Sequence, residues 1–90
     1  MMNSKQNWVL KIDPKVYKVL SKIPKEYAGK ILNTIKSFSA DPFTGDIEKI
    51  KEQENSWRRR IGNYRIFYDI KMKEKIIEVT WIERRTSKTY

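Results

Sequence analysis

The run Trp57-Arg58-Arg59-Arg60-Ile61-Gly62-Asn63-Tyr64-Arg65-Ile66-Phe67-Tyr68 reads as two strands around a tight turn. Gly62-Asn63 is two-residue turn chemistry, so Trp57–Ile61 and Tyr64–Ile70 are expected to form a β-hairpin. Side chains alternate across a strand. Trp57 and Ile61 then share a face apolar enough to meet a core, and Arg58 and Arg60 stand on the opposite, open face. Arg59 falls on the core face in this register. It must either snorkel its stem past the sheet edge or sit at a bulge. Across the turn Arg65 comes close to Arg60, and Phe67 is the aromatic that shares the Arg65 face by parity.

Downstream, Lys71 to Lys75 is a polar turn. A last strand over Ile76–Ile82 should place Ile77, Val79 and Trp81 on one face and Glu78 and Thr80 on the other. Upstream, residues 7–12 suit a first strand that ends at Asp13-Pro14, where Asp13 is a good helix cap and Pro14 fits the first helical position. Val16, Val19, Leu20 and Ile23 form an apolar stripe on a helix reaching about Lys22, and Tyr27, Ile31, Ile35 and Phe38 form another from Lys25 to Phe38. The two helices make a hairpin broken at Ile23-Pro24. Ser39 to Gly45 is loop chemistry. Asp46 to Ser56 carries four of the eleven acids and reads as a partly ordered connector with a short turn or strand. The order strand, helix, helix, three strands predicts an α+β fold, in which a small, mainly antiparallel sheet of about four strands packs one face on an N-terminal helical hairpin.

Composition narrows the chemistry. The 90 residues hold Lys+Arg 20 against Asp+Glu 11, a formal net charge of +9, with no histidine and no cysteine. That length suits one domain, residues 1–90, with a single small core. The inventory excludes disulfide frameworks, thiolate metal sites, a His-dependent nuclease, a zincin and a Ser-His-Asp hydrolase. The longest apolar runs are three residues, such as Trp8-Val9-Leu10, against the roughly 20 a membrane span needs. A soluble cytoplasmic protein that does not engage membranes is the expectation. The positive surplus points to polyanions, nucleic acid first. All six arginines, Arg58, Arg59, Arg60, Arg65, Arg84 and Arg85, lie in residues 57–90, which carry +6 of the +9. A guanidinium forks onto phosphate where a surface lysine mostly solvates itself.

Guanidiniums gathered on one strand face repel one another unless acids interleave, and the acids nearest in this reading are Asp69, Glu78 and Glu83. A phosphate site explains the cluster better. The neighbouring aromatics Tyr64, Phe67, Tyr68 and Tyr90 offer stacking surfaces for bases, although Tyr68 and Trp57 also suit a core.

The Arg60–Tyr68 segment, followed by a hydrophobic strand, Arg84-Arg85 and a terminal Tyr90, resembles the signature of the RelE/ParE superfamily of toxins from type II toxin–antitoxin pairs. The likeness runs along the whole chain, including the Leu20-Ser21-Lys22-Ile23-Pro24 helix break and the Asp41-Pro42-Phe43 loop. It implies a RelE-like fold and, in the RelE branch, a ribosome-dependent endoribonuclease that cleaves mRNA in the ribosomal A site and so inhibits translation. The reaction implied needs no metal and no cofactor: the 2′-OH of one nucleotide attacks the adjacent phosphate. By position, Arg58 and Arg60 match the paired basic residues of the family's strand, Arg65 the arginine after the turn, Arg85 in preference to Arg84 the arginine after the last strand, and Tyr90 the terminal tyrosine.

The paired positions are lysines in the best-known RelE pattern. Arginine does not deprotonate at neutral pH, which leaves either Tyr90 as the base, its phenol acidified by the guanidiniums, or catalysis by positioning and charge stabilisation alone. Two other readings are open: a ParE-like inhibitor of DNA gyrase with the same fold, and a non-catalytic basic RNA-binding module. The partners implied are a small acidic or amphipathic antitoxin of the RelB kind, in a toxin–antitoxin heterotetramer, together with the ribosome and mRNA.

Overall fold

The computed structural model describes residues 8–84. Strand β1 (Val9–Ile12) leads into helices α1 (Pro14–Leu20) and α2 (Lys25–Ser37), and then come β2 (Ile47–Lys49), β3 (Ser56–Ile61), β4 (Tyr64–Lys71) and β5 (Ile76–Arg84). The expected α+β order holds, with five strands where about four were expected. The extra strand is β2, formed in the acid-rich stretch read as a connector. The sheet order is β1-β5-β4-β3-β2. All pairings are antiparallel except β1 on β5, which is parallel.

Local chemistry sets the helix limits. Asp13 accepts a 3.0 Å hydrogen bond from the Lys15 amide, and its own amide donates to the Val79 carbonyl at 2.9 Å, so the cap is also tied to β5. The first helix ends at Leu20, two residues earlier than its stripe suggests, because the chain must turn before Pro24 can open α2. Val16, Leu20, Ile31, Ile35 and Phe38 from the helical layer bury against Tyr64, Ile66, Tyr68, Ile70, Ile77, Val79 and Ile82 from one sheet face. Tyr27, expected on the core stripe, is instead 49% exposed. It lies against Tyr64 with ring centroids 6.1 Å apart.

The last strand departs from simple alternation. Tyr68 pairs with Val79 but Phe67 pairs with Trp81, so Thr80 is an extra residue opposite the Phe67/Tyr68 step. Such a bulge reverses the alternation beyond it. Ile82 enters the core, and Trp81, expected beside Ile77 and Val79, is 42% exposed.

Tyr68 fastens the core to the loop that follows α2. Its ring stacks on Phe38 at 4.4 Å, and its hydroxyl donates a 3.0 Å hydrogen bond to the Pro42 carbonyl. Phe43, next in the loop, meets Trp8 and Trp57 edge-on at 6.2 and 5.9 Å. The loop therefore reaches β2 in a defined position. Arg59 settles beneath it: β3 pairs regularly with both neighbours, so there is no bulge at Arg59. Nor does its guanidinium snorkel past the sheet edge; it lodges under the loop, where Nη1 donates to the Thr44 carbonyl at 3.3 Å. Gly45, at φ +90, leaves the space that the guanidinium occupies, which a Cβ there would invade.

Burial pushes the Tyr68 hydroxyl up to about 12 from its ordinary 10.0, against the nearby Arg59 charge, which lowers it. The folded state thus favours the neutral phenol. The stability this confers is fully present below the unfolded value and is lost as pH rises from about 10 toward 12. Tyr68→Phe is expected to lower the unfolding free energy by about 1–2 kcal/mol in urea titrations at neutral pH. The same variant should also lose the Tyr68 share of the alkaline decline.

Candidate phosphate-binding site

The middle strand, β4, buries Tyr64, Ile66, Tyr68 and Ile70 and turns Arg65, Phe67 and Asp69 to the opposite face. On β3, Arg58 faces Phe67 across the ladder and Arg60 faces Arg65. The register of β2 then sets Glu48 beside Arg58. Arg58, Arg60 and Arg65 converge with Asp46 and Glu48 on one open-face cavity of about 220 Å³.

Acids do interleave, contrary to the sequence reading, and they are mostly not the ones anticipated. Arg58 donates from Nε and Nη2 to a single Glu48 oxygen, at 3.2 and 2.8 Å. Arg60 Nε lies 3.4 Å from Asp46, and Arg65 Nη1 lies 3.7 Å from Glu83. Among the described residues, Glu83 alone of the acids expected nearby reaches an arginine. Asp69 accepts a hydrogen bond from Ser56, and Glu78 pairs with Lys71. Glu48 was missed because β2 is three residues long, too short to show alternation, and Asp46 because it sits in the bend just before that strand. The usable signal was an acidic segment close in sequence to a basic strand, since opposite charges pair across antiparallel strands.

These ion pairs are partly exposed to solvent, and two of the three are loose. The two looser ones exceed hydrogen-bond length, and the side chains of Arg60 and Asp46 are 52% and 66% exposed. Pairs of this kind add little to stability. What they do is hold three guanidiniums in one place without a ligand. A phosphate, with more acceptor oxygens and more charge than a carboxylate, can take the same donors. The Glu48 carboxyl is held below its ordinary 4.5, first by its hydrogen bond from Arg58 and then by the charges of Arg58, Arg60 and Arg65, against a smaller opposing effect of desolvation. It is therefore ionised at neutral pH and competes with an incoming anion.

The remaining sequence candidates divide. Arg84 is the register partner of core-facing Tyr64 and does not line the cavity. Arg85 and Tyr90 lie outside the described residues. Tyr64 and Tyr68 are buried, so neither offers a face to a base, whereas Phe67 is half-buried on the open side. No helix among the described residues is long and apolar enough to cross a membrane.

The fold of two helices on one side of a five-stranded sheet is similar to that of solved RelE toxins. The archaeal RelE in the RelE–RelB complex from Pyrococcus horikoshii superposes with a TM-score of 0.79 at 24% identity, over 92% of this chain and 100% of the other. RelE of the RelB–RelE complex from Methanococcus jannaschii gives 0.69 at 26% identity, over 82% and 88%. The isolated Escherichia coli RelE toxin gives 0.75 at 12% identity, over 90% and 87%. Residues 10–87 match the model of the ParE toxin of type II toxin–antitoxin systems. The chain belongs to that family, and so to the RelE/ParE superfamily of toxins. No curated protein sequence matches it.

If Glu48 competes with anions for Arg58, Glu48→Gln should elute from heparin at higher salt than the parent protein with an unchanged melting temperature. Elution at the same or lower salt would show that Glu48 does not occupy the anion site.

Proposed function

We propose that this toxin is a ribosome-dependent endoribonuclease that cleaves mRNA in the ribosomal A site without a metal. The convergence of Arg58, Arg60 and Arg65 on one open cavity carries this reading. In the reaction the 2′-oxygen bonds to phosphorus while the bond to the 5′-oxygen breaks, leaving a cyclic phosphate and a free 5′-hydroxyl. The crowded phosphorane gathers negative charge, and preorganised guanidiniums stabilise charge that develops in place.

The ion pairs give the site a way to switch on. When a phosphate takes Arg58, Glu48 loses the hydrogen bond that suppresses its basicity, and it is then free to accept the 2′-OH proton. Tyr90, a candidate base in the sequence reading, is proposed to protonate the departing 5′-oxygen instead, and Arg85 is proposed to supply a further positive charge to the reaction. An antitoxin of the RelB kind, in a heterotetramer, is the proposed partner that silences the toxin. RelB stands beside RelE in the complexes from P. horikoshii and M. jannaschii. An acidic segment would suit this chain's surplus of +9. The proposed compartment is the cytoplasm, where ribosomes are met.

A second reading, gyrase inhibition, is favoured by the ParE family match. A cell-free translation reaction with mapped mRNA ends separates the two. Cuts within A-site codons are expected, with Arg65→Ala and Arg85→Ala each slowing them by about 10²–10³. Glu48→Gln should slow them by about 10²–10⁴. Intact mRNA together with gyrase stalled on DNA would replace the nuclease reading with the second one. Cuts that survive both arginine substitutions would overturn the site assignment alone.

A further inference from the structure

The open face carries a second hollow that the chemistry above does not use. It has a volume of about 350 Å³ and is lined by Ser56, Phe67, Asp69 and Thr80, together with Ile50 and Gln53 from the connection between β2 and β3. Cross-strand register fixes its place. The outward rows run Arg60 with Arg65, then Arg58 with Phe67, then Ser56 with Asp69. Each row is two residues from the last, about 7 Å along the strands. The hollow thus begins where the arginine cavity stops.

Its chemistry differs from that of the arginines. Phe67 is half-buried on the open side, flanked by Arg58 on β3 and by Trp81 on β5. The bulge at Thr80 is what turns Trp81 outward. Aromatic surface left open beside guanidiniums is the combination that single-stranded nucleic acid requires, with bases stacking while the backbone tracks the charge. Asp69 accepts a 2.7 Å hydrogen bond from Ser56 on Oδ1. Its Oδ2 meets no protein donor among the described residues and is left to accept from a ligand.

We propose that this hollow is a nucleobase subsite. Phe67 stacks on the base next to the phosphate held by the arginines, and Asp69 accepts a hydrogen bond from that base's amino group. Adenine, cytosine and guanine each carry an exocyclic amine, whereas uracil has none, and its single edge donor, N3–H, is flanked by two carbonyl oxygens that a carboxylate repels. The subsite therefore selects against uracil. It rests on the phosphate-handling reading of Arg58, Arg60 and Arg65, and adds the feature of the RNA that is read beside the phosphate.

The test uses the full chain and fluorescein-labelled heptanucleotides of adenine, cytosine or uracil, or an abasic strand. All carry 2′-O-methyl sugars, so that nothing is cut, and binding is followed by fluorescence anisotropy across a salt series. The parent protein should bind the adenine and cytosine strands about five- to hundredfold more tightly than uracil. Phe67→Ala should weaken the base-bearing strands by a similar factor and leave the abasic strand unchanged. Asp69→Asn should bring uracil level with cytosine. Arg65→Ala should weaken every strand, the abasic one included, and lower the salt slope by about 1. Should Phe67→Ala fail to fold, Phe67→Leu removes the aromatic face while filling the same space.

Affinity that ignores the base, or no binding even at low salt, overturns the proposal. Equal RNA binding by Phe67→Ala and the parent does the same, and marks the aromatic face as a protein-docking surface. Base-selective binding without cuts in the translation reaction would remove the nuclease reading and keep the subsite. Cuts accompanied by base-blind binding would do the reverse.

Discussion

The pleat of β4 is the constraint on which everything else hangs. In the middle of five strands, it sends Tyr64, Ile66, Tyr68 and Ile70 into the helices and Arg65, Phe67 and Asp69 to the open side. A slip of one residue would exchange the two sets, burying an arginine and an aspartate and taking both buried tyrosines out of the core. Because the apolar set cannot be exposed without losing the core, the polar set cannot move either. The open face thus inherits its geometry from hydrophobic packing on the reverse side of the same ribbon. Tyr68 extends that control by holding the loop at Pro42, which leads into β2 and its acids.

The arginine cavity shows how a fold stores positive charge without burying it. A cluster of unpaired guanidiniums would cost repulsion, and a fully buried one would cost desolvation. Partly exposed carboxylates at 2.8 to 3.7 Å avoid both and stay exchangeable. Arg59 marks the contrast. Its Nε is buried without a hydrogen-bond partner, and its guanidinium is enclosed by the loop at Thr44 and Gly45. Adjacent residues in one strand therefore serve opposite ends, one anchoring a loop and two lining the open cavity.

Much of this was legible in the sequence because punctuation residues sit where the elements break. Asp13-Pro14, Pro24 and Gly62-Asn63 each mark a boundary that the structure keeps, and the parity of Arg58, Arg60 and Arg65 follows from the two-residue period. The failures share a cause. Trp81 and Ile82 exchanged faces because a bulge at Thr80 is settled by packing between strands, which no local pattern announces. Glu48 escaped notice because its strand is too short to carry a period, Asp46 because it lies in the bend before that strand, and Tyr27 because a helical stripe does not say where the sheet beneath it ends.

One pairing governs when the fold can exist at all. Among the described residues, β1 is hydrogen-bonded within the sheet only to β5, so the first strand made has to wait for the last. Such long-range closure is slow compared with local contacts, and synthesis delivers residues in order. Until Ile76 to Arg84 is available, β1 lacks its partner in the sheet and one edge of β4 stays open. The final strand is therefore also the timing element. The fold is completed only after nearly all of the described chain has left the ribosome that made it.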